Sequence, residues 1–207
     1  MSNFQITFVI CCMITCSLSY NYAILQEGSN YISYTLDKCY SDLTSIFVTP
    51  TSYFRILEDV NGKILVKSGS VCKDKHMIDD ANLTSIFSSY KLVDELPSFV
   101  LVRYDYGVFL GCQFGEEKAH PHELLITDGC NKNISSAEGY YVKYDVSTED
   151  NRVSITNYSD SECKTVVGNY DVKILGQCST ENDRNVMYSE GNIKMVILLV
   201  FIILITF

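Results

Sequence analysis

Basic residues are scarce and scattered. There are 16 Lys and Arg against 25 Asp and Glu, a formal net charge of −9. A nucleic-acid partner needs clustered cations to neutralise phosphates, so that class is excluded. The motifs of nucleophilic and phosphate chemistry are missing as well. The chain has no G-x-S-x-G, no H-E-x-x-H and no G-x-x-x-x-G-K-[ST]. It has no C-x-x-C pair and no D-x-D-x-D-G run, so neither a zinc cage nor a calcium loop is written in it. No metal and no cofactor are implied. Tryptophan is absent and prolines number three. No stretch rich in Gly, Ser or Pro forms a linker, which leaves one domain, or two β units packed without a tether.

What the chain does have begins at its amino terminus. In "MSNFQITFVICCMITCSLSYNYAIL" no charge falls between Phe4 and Leu18, and Ser17 and Ser19 occupy the −3 and −1 positions of a cut before Tyr20. This pattern predicts a secretory signal peptide at 1–19. Its removal takes Cys11, Cys12 and Cys16 away and leaves Cys39, Cys72, Cys112, Cys130, Cys163 and Cys178. An even set, spread widely in a secreted chain, reads as a disulfide framework.

Six cysteines allow fifteen pairings, among which sequence alone does not choose; the sequential one is the expectation: Cys39–Cys72, Cys112–Cys130 and Cys163–Cys178. The last would close a loop of about fifteen residues, worth about 3 kcal/mol. An internal echo offers a second scheme. Tyr-x4-Cys precedes Cys39 and Cys163, and Tyr-Asp-x6-Cys precedes Cys112 and Cys178. Two related β units, 31–130 and 131–180, would then pair Cys39–Cys112, Cys163–Cys178 and Cys72–Cys130. Three sequons fit the secretory route and predict glycans at Asn82, Asn133 and Asn157, on the surface.

The body at 20–188 reads as strands. In "YFRILEDVNGKILVKSGSVC" two apolar arms, 53–60 and 63–68, flank Asn61-Gly62, the pair that suits a type I′ turn. A second hairpin is predicted from 98–104 and 108–114 around Asp105-Tyr106-Gly107. A third turns at 147–151, and a fourth, in "CKTVVGNYDVKILGQC", turns at Gly168-Asn169 and leaves one face wet. "ELLITDGC" adds a strand. One helix is predicted near 78–93, capped by Asp79 or Asp80, with Leu83, Phe87 and Tyr90 on one face. The fold class is therefore mainly β: antiparallel hairpins in a small disulfide-stapled sandwich or two packed β units. The 15 tyrosines suit strand packing first and a recognition face second.

"AHPHE" supplies the one histidine cluster, His120 and His122 beside Glu123. With Cys112 or Cys130 it could form a Cys–His couple, the basis of an alternative reading as a secreted or tethered hydrolase-type enzyme. At the carboxy end, Met195 to Phe207 are uncharged. As a helix they would span about 20 Å, short of a hydrocarbon core of about 30 Å. A hydrophobic tail behind small residues is the signal for a glycosyl-phosphatidylinositol (GPI) anchor, with Ser189 as the attachment residue and Gly191 two positions on. The spacer, 192–194, is shorter than usual, and a short retained hydrophobic tail at 189–207 is the alternative. The sequence thus predicts a non-catalytic recognition, adhesion or coat protein at the outer face of the plasma membrane. Its partners would be the membrane, through lipid or tail, and an extracellular protein or glycan.

Overall fold

The computed structural model describes residues 20–41, 52–107, 111–112, 119–132, 139–168 and 171–191. The signal segment, the apolar tail and Asn133 lie outside these residues. Within them the chain runs β1 (Tyr22–Glu27), β2 (Asn30–Thr35), β3 (Cys39–Ser41), β4 (Tyr53–Glu58), β5 (Ile64–Gly69) and β6 (Ile78–Asp79). After α1 (Ala81–Phe87) come β7 (Lys91–Val93), β8 (Leu101–Gly107), β9 (His122–Ile126), β10 (Cys130–Lys132) and β11 (Tyr141–Ser147). The last strands are β12 (Arg152–Tyr158), β13 (Asp171–Ile174), β14 (Cys178–Glu181) and β15 (Arg184–Glu190). The fold is mainly antiparallel β, as the strand-rich sequence predicts.

A seven-stranded sheet has the order β14-β15-β8-β9-β2-β1-β7, and two four-stranded sheets have the orders β3-β4-β5-β6 and β10-β11-β12-β13. Side chains alternate across a strand, so register decides which residues share a face. One face of the large sheet carries Ala23, Tyr34, Leu101, Ile126, Val186 and Tyr188. Toward β1 and β2 this face packs on Tyr40, Phe54, Ile56 and Val66 of the first small sheet, with Phe87 of α1. Toward β8 and β15 it packs on Val153 of the second small sheet and on Leu175. Two short sheets therefore share the cover of one long sheet. The aromatic side chains of the first core meet mainly edge to face, with Tyr34 and Tyr40 centroids 4.9 Å apart, the arrangement their quadrupoles favour.

The disulfides are Cys39–Cys72, Cys112–Cys178 and Cys130–Cys163, with Cα separations of 6.0, 5.5 and 5.7 Å. The first matches the sequential scheme. Cys112–Cys130 and Cys163–Cys178 do not form, and no bridge of the repeat-based scheme forms. The reason lies in β8. Asp105-Tyr106-Gly107, expected to be a turn, continues the strand, which pairs with β9 and β15 and not with a hairpin partner. Cys112 is carried beyond β8 to the side where β14 pairs with β15, and there it meets Cys178. The expected turn at Gly168-Asn169 lies partly outside the described residues, but the arms on either side of it are not paired with each other as a hairpin. β13 pairs with β12, and the arm before it contributes one isolated bridge, Tyr158 to Val166.

The helix is shorter than predicted. Asp80 caps it by accepting from the Leu83 amide at 2.9 Å. Its flanks are drawn into sheets, 78–79 as β6 beside β5 and 91–93 as β7 beside β1. Leu83, Phe87 and Tyr90 do face the core. The 147–151 hairpin stands as expected, with Ser147 opposite Arg152. The β4–β5 hairpin also forms, but its turn is not type I′. Of Asn61 and Gly62 the glycine alone has positive φ. Asp59 organises the loop, its carboxylate accepting from the amides of Asn61 and Lys63, both at 2.8 Å.

Candidate functional site

A cleft of about 380 Å³ opens between the large sheet and the second small sheet, on the side where β13 and β14 are edge strands. Its floor is apolar: Leu124 from β9, Val142 from β11 and Ile155 from β12. Above the floor the large sheet contributes Arg103, Glu181 and Tyr188, the small sheet Tyr144 and Lys173, and the β14–β15 turn Asn182. These side chains point inward because of strand register. Arg103 stands opposite Tyr188, Lys173 opposite the buried Val153, and Tyr144 opposite Ile155.

The charges form a connected network. Glu181 accepts from Arg103 at 3.4 Å, lies 3.8 Å from the Lys173 ammonium and accepts from the Tyr188 hydroxyl at 3.1 Å. Arg103 also approaches Asp105 at 3.5 Å, and Asp105 accepts from Nε of Arg184 at 2.8 Å. Asp171 pairs with Lys173 at 2.8 Å. Side chains of Arg103, Asp105, Lys173 and Glu181 are between 13% and 20% exposed, so solvent screens these pairs less than it screens surface pairs. Burial works against the Arg103 charge, but Tyr188, Asp105 and Glu181 outweigh it and hold the guanidinium above its ordinary value. Burial, then Tyr144 and Glu181, push the Tyr188 hydroxyl well above the ordinary phenol range, so it stays protonated and donates. Tyr144 is pushed up to about 12, chiefly by burial.

Next to the cleft a polar clamp joins the two sheets. Asn131, buried at the β10 strand, donates to the carbonyls of Thr127 and Gly129, both at 3.2 Å, and accepts from the Ser29 hydroxyl. The Thr127 hydroxyl donates to the Ser29 carbonyl at 2.9 Å, and Asn30 accepts from the Thr127 amide. With these groups satisfied, burying them costs little. Lys132 follows directly and lines the cleft.

The histidines lie elsewhere, at the seam between the large sheet and the first small sheet. The His120 amide donates to the Cys39 carbonyl at 2.7 Å. Burial, then Lys38, hold the His120 imidazole below its ordinary pKa. His122 sits among Tyr34, Tyr40 and Phe54. Its Nε2 lies 2.9 Å from the Ser41 carbonyl, which can only accept, so Nε2 donates. Nδ1 then accepts from the Tyr34 hydroxyl at 2.8 Å. Cys112 and Cys130 are each spent in a disulfide, so the Cys–His couple of the hydrolase reading is not formed by these residues. Among the described residues no group of three or more His, Cys, Asp and Glu is placed to hold a metal ion.

Asn82 is exposed on α1, while Asn157 is half-buried on the face of β12 that lines the cleft. Ser189 is half-buried in β15 opposite Val102, and two residues on the Gly191 amide donates to the Val100 carbonyl at 2.9 Å. A Cβ on Gly191 would meet the Phe99 carbonyl oxygen at 2.0 Å, so the fold itself requires a glycine there. The small-residue pattern at 189–191 thus has a packing cause as well as the lipidation reading. Sequence reasoning passed over Arg103, Lys132, Tyr144 and Glu181. A signal existed in the wet face of "YDVKIL", whose exposed Asp171 and shielded Lys173 line the cleft. No known protein family, no curated protein and no solved structure matches the chain.

Proposed function

We propose that this protein is an extracellular recognition protein, held at the outer cell surface through its apolar carboxy-terminal segment, and that it binds its ligand in the cleft between the two sheets. The observation that carries the reading is the interior of the sandwich at that end. It is lined by Arg103, Lys173, Glu181, Tyr144 and Tyr188 over an apolar floor, where a purely structural sandwich would close on aliphatic side chains. Ligand sites combine apolar walls with a few placed polar groups, and this cavity lies at the small end of the usual range of about 300–1,000 Å³. Three intramolecular disulfides fit an oxidising, extracellular or secreted location. Attachment by a GPI lipid, after removal of residues 190–207, is the anchoring reading that the tail composition supports.

The test uses the full-length chain displayed on cells. It is screened against immobilised extracellular glycans and proteins, next to Arg103→Met and Tyr144→Ala variants and a control, Lys75→Ala, on the exposed turn at Asp74–His76. Binding retained by the control and lost by both cleft variants is expected. Binding that ignores both cleft variants would sink the proposal. For the anchor, a phospholipase specific for glycosyl-phosphatidylinositol is applied to intact cells. Protein that stays on the surface while a known anchored control is released counts against the lipid.

A further inference from the structure

We infer that the cleft takes an acidic sugar, a pyranose bearing one carboxylate at the end of a glycan. The inference rests on the cleft being the recognition site, and it concerns what kind of molecule that site selects.

Charge is the first argument. The cleft holds two carboxylates, and both are committed. Asp171 is paired with Lys173 at 2.8 Å, and Glu181 with Arg103 at 3.4 Å and the Tyr188 hydroxyl at 3.1 Å. Arg103 and Lys173 are committed in turn. Lys132 is exposed, lines the same cavity, and makes no ion pair among the described residues. In a chain of net charge −9, the uncommitted charge of the cleft is a cation. A cavity with low-dielectric walls focuses that field on an incoming anion.

Shape and polarity give the second argument. A pyranose has an apolar face of C–H groups and a rim of hydroxyls. The half-buried Tyr144 ring stands over the apolar floor and suits the first, backed by the buried Tyr188 ring, their centroids 6.4 Å apart. Exposed Thr180 and Asn182 at the mouth offer donors and acceptors to the second. The volume of about 380 Å³ admits one or two rings, not a long chain. The third argument separates a carboxylate from a phosphate. Phosphate sites gather free, often bidentate cations. Here the guanidinium already faces two carboxylates, and a single ammonium remains for a single negative charge.

The experiment compares D-glucuronate with D-glucose, which differ at one carbon, on the full-length chain from a secretory host in mild detergent. Affinities are read by ligand-observed saturation-transfer NMR, with inorganic phosphate as competitor. Glucuronate should bind at least tenfold more tightly than glucose. Lys132→Met should bring the two within about threefold by weakening glucuronate alone. Lys132 is exposed, so the variant keeps the fold, and its disulfide map verifies this. Equal affinities in the wild type, or a preference that survives Lys132→Met, would overturn the inference. Phosphate displacing glucuronate at equal concentration would reduce the site to a plain anion site and overturn it too. If neither sugar binds while the cell-display screen still shows cleft-dependent binding, the sugar class fails and the recognition reading stands. Loss of cleft dependence in that screen removes both.

Discussion

The nested arrangement of Cys112–Cys178 around Cys130–Cys163 makes a quantitative prediction that a sequential arrangement does not. The outer bridge joins residues 66 apart and the inner joins residues 33 apart. In the chain-entropy model a bridge stabilises by the closure entropy it removes from the unfolded chain, about 4.3 kcal/mol for a loop of 66 residues and about 3.7 kcal/mol for 33. With the inner bridge in place, the outer one no longer closes the whole stretch. The outer separation of 66 less the inner 33 leaves 33 residues of flanking arm. Removing the outer bridge as Cys112→Ala/Cys178→Ala should therefore cost about 3.7 kcal/mol in the wild type and about 4.3 kcal/mol when the inner bridge is already absent. This is the ~0.6 kcal/mol that a doubling of loop length is worth. Cys178 is exposed and Cys112 half-buried, so alanine leaves no sealed cavity and the entropic part dominates. A double-mutant cycle in guanidinium denaturation measures the coupling, and peptide mapping of the non-reduced protein fixes the pairs. Zero coupling together with a Cys112–Cys130 peptide would refute both the topology at β8 and the reasoning built on it.

Three further outcomes follow from local geometry. Glu123 on β9 is raised to about 7 by burial, so the native state keeps a proton that the unfolded chain has lost. The destabilisation is absent below the unfolded carboxyl pKa, grows as pH rises toward 7, and amounts to about 3 kcal/mol above it; urea melts of Glu123→Gln from pH 5 to pH 8 should lose that part of the slope. Asp80 is held below its usual range by hydrogen bonds from the Leu83 amide and then from Ser68, so its contribution is present above the unfolded carboxyl pKa and lost as pH falls through the folded one. Asp80→Ala should cost about 1 kcal/mol at pH 7 and show a smaller difference from wild type at pH 3, by the same melts. Gly191→Ala should destabilise an uncleaved chain by about 1–3 kcal/mol through the contact with Phe99, whereas a mature chain ending at Ser189 lacks the residue and melts unchanged.

The local signals that survived in the structure are those decided within a few residues. Asp80 marks the start of α1 because an aspartate carboxylate reaches the third amide beyond it. The hairpin around 147–151 forms because both arms are β-branched or aromatic and the loop between them is polar. Apolar spacing placed Leu83, Phe87 and Tyr90 on the buried side for the same reason. What could not be read was decided at long range. Asp105-Tyr106-Gly107 has the composition of a turn, yet two neighbours, β9 and β15, claim the backbone of this stretch from both sides. That one substitution of strand for turn redirects Cys112 and breaks the expected disulfide order. His120 and His122 looked like chemistry because they are clustered in sequence. In space they serve the seam between two sheets, one through its backbone amide and the other through a tautomer fixed by Ser41 and Tyr34. The cleft was illegible for a related reason. Its residues come from nine strands and one turn, and most of these contribute one or two polar side chains that look like ordinary wet-face residues in their own segment.

The ions of the cleft themselves bear on function. Arg103, Lys173 and Glu181 occupy inward positions of a sandwich beside a core of Leu101, Val153 and Val186. Stability alone gives weak reason to keep them there. Desolvating partly buried charges consumes much of what their attraction returns, and apolar replacements of similar volume are often neutral or stabilising by about 1–4 kcal/mol. Removing one partner is different, because the others are left unpaired. Arg103→Met alone should therefore destabilise, since Glu181 and Asp105 lose a cation they share. The joint replacement Arg103→Met/Glu181→Leu/Lys173→Met closes the cleft with aliphatic volume and should recover most of that loss, or exceed the wild type, in thermal unfolding. Binding in the cell-display screen should stay abolished in both. If the joint variant is as unstable as Arg103→Met, the network is a structural element of the sandwich and its presence says nothing about a ligand. If stability returns and binding does not, the charges are retained for what enters the cleft.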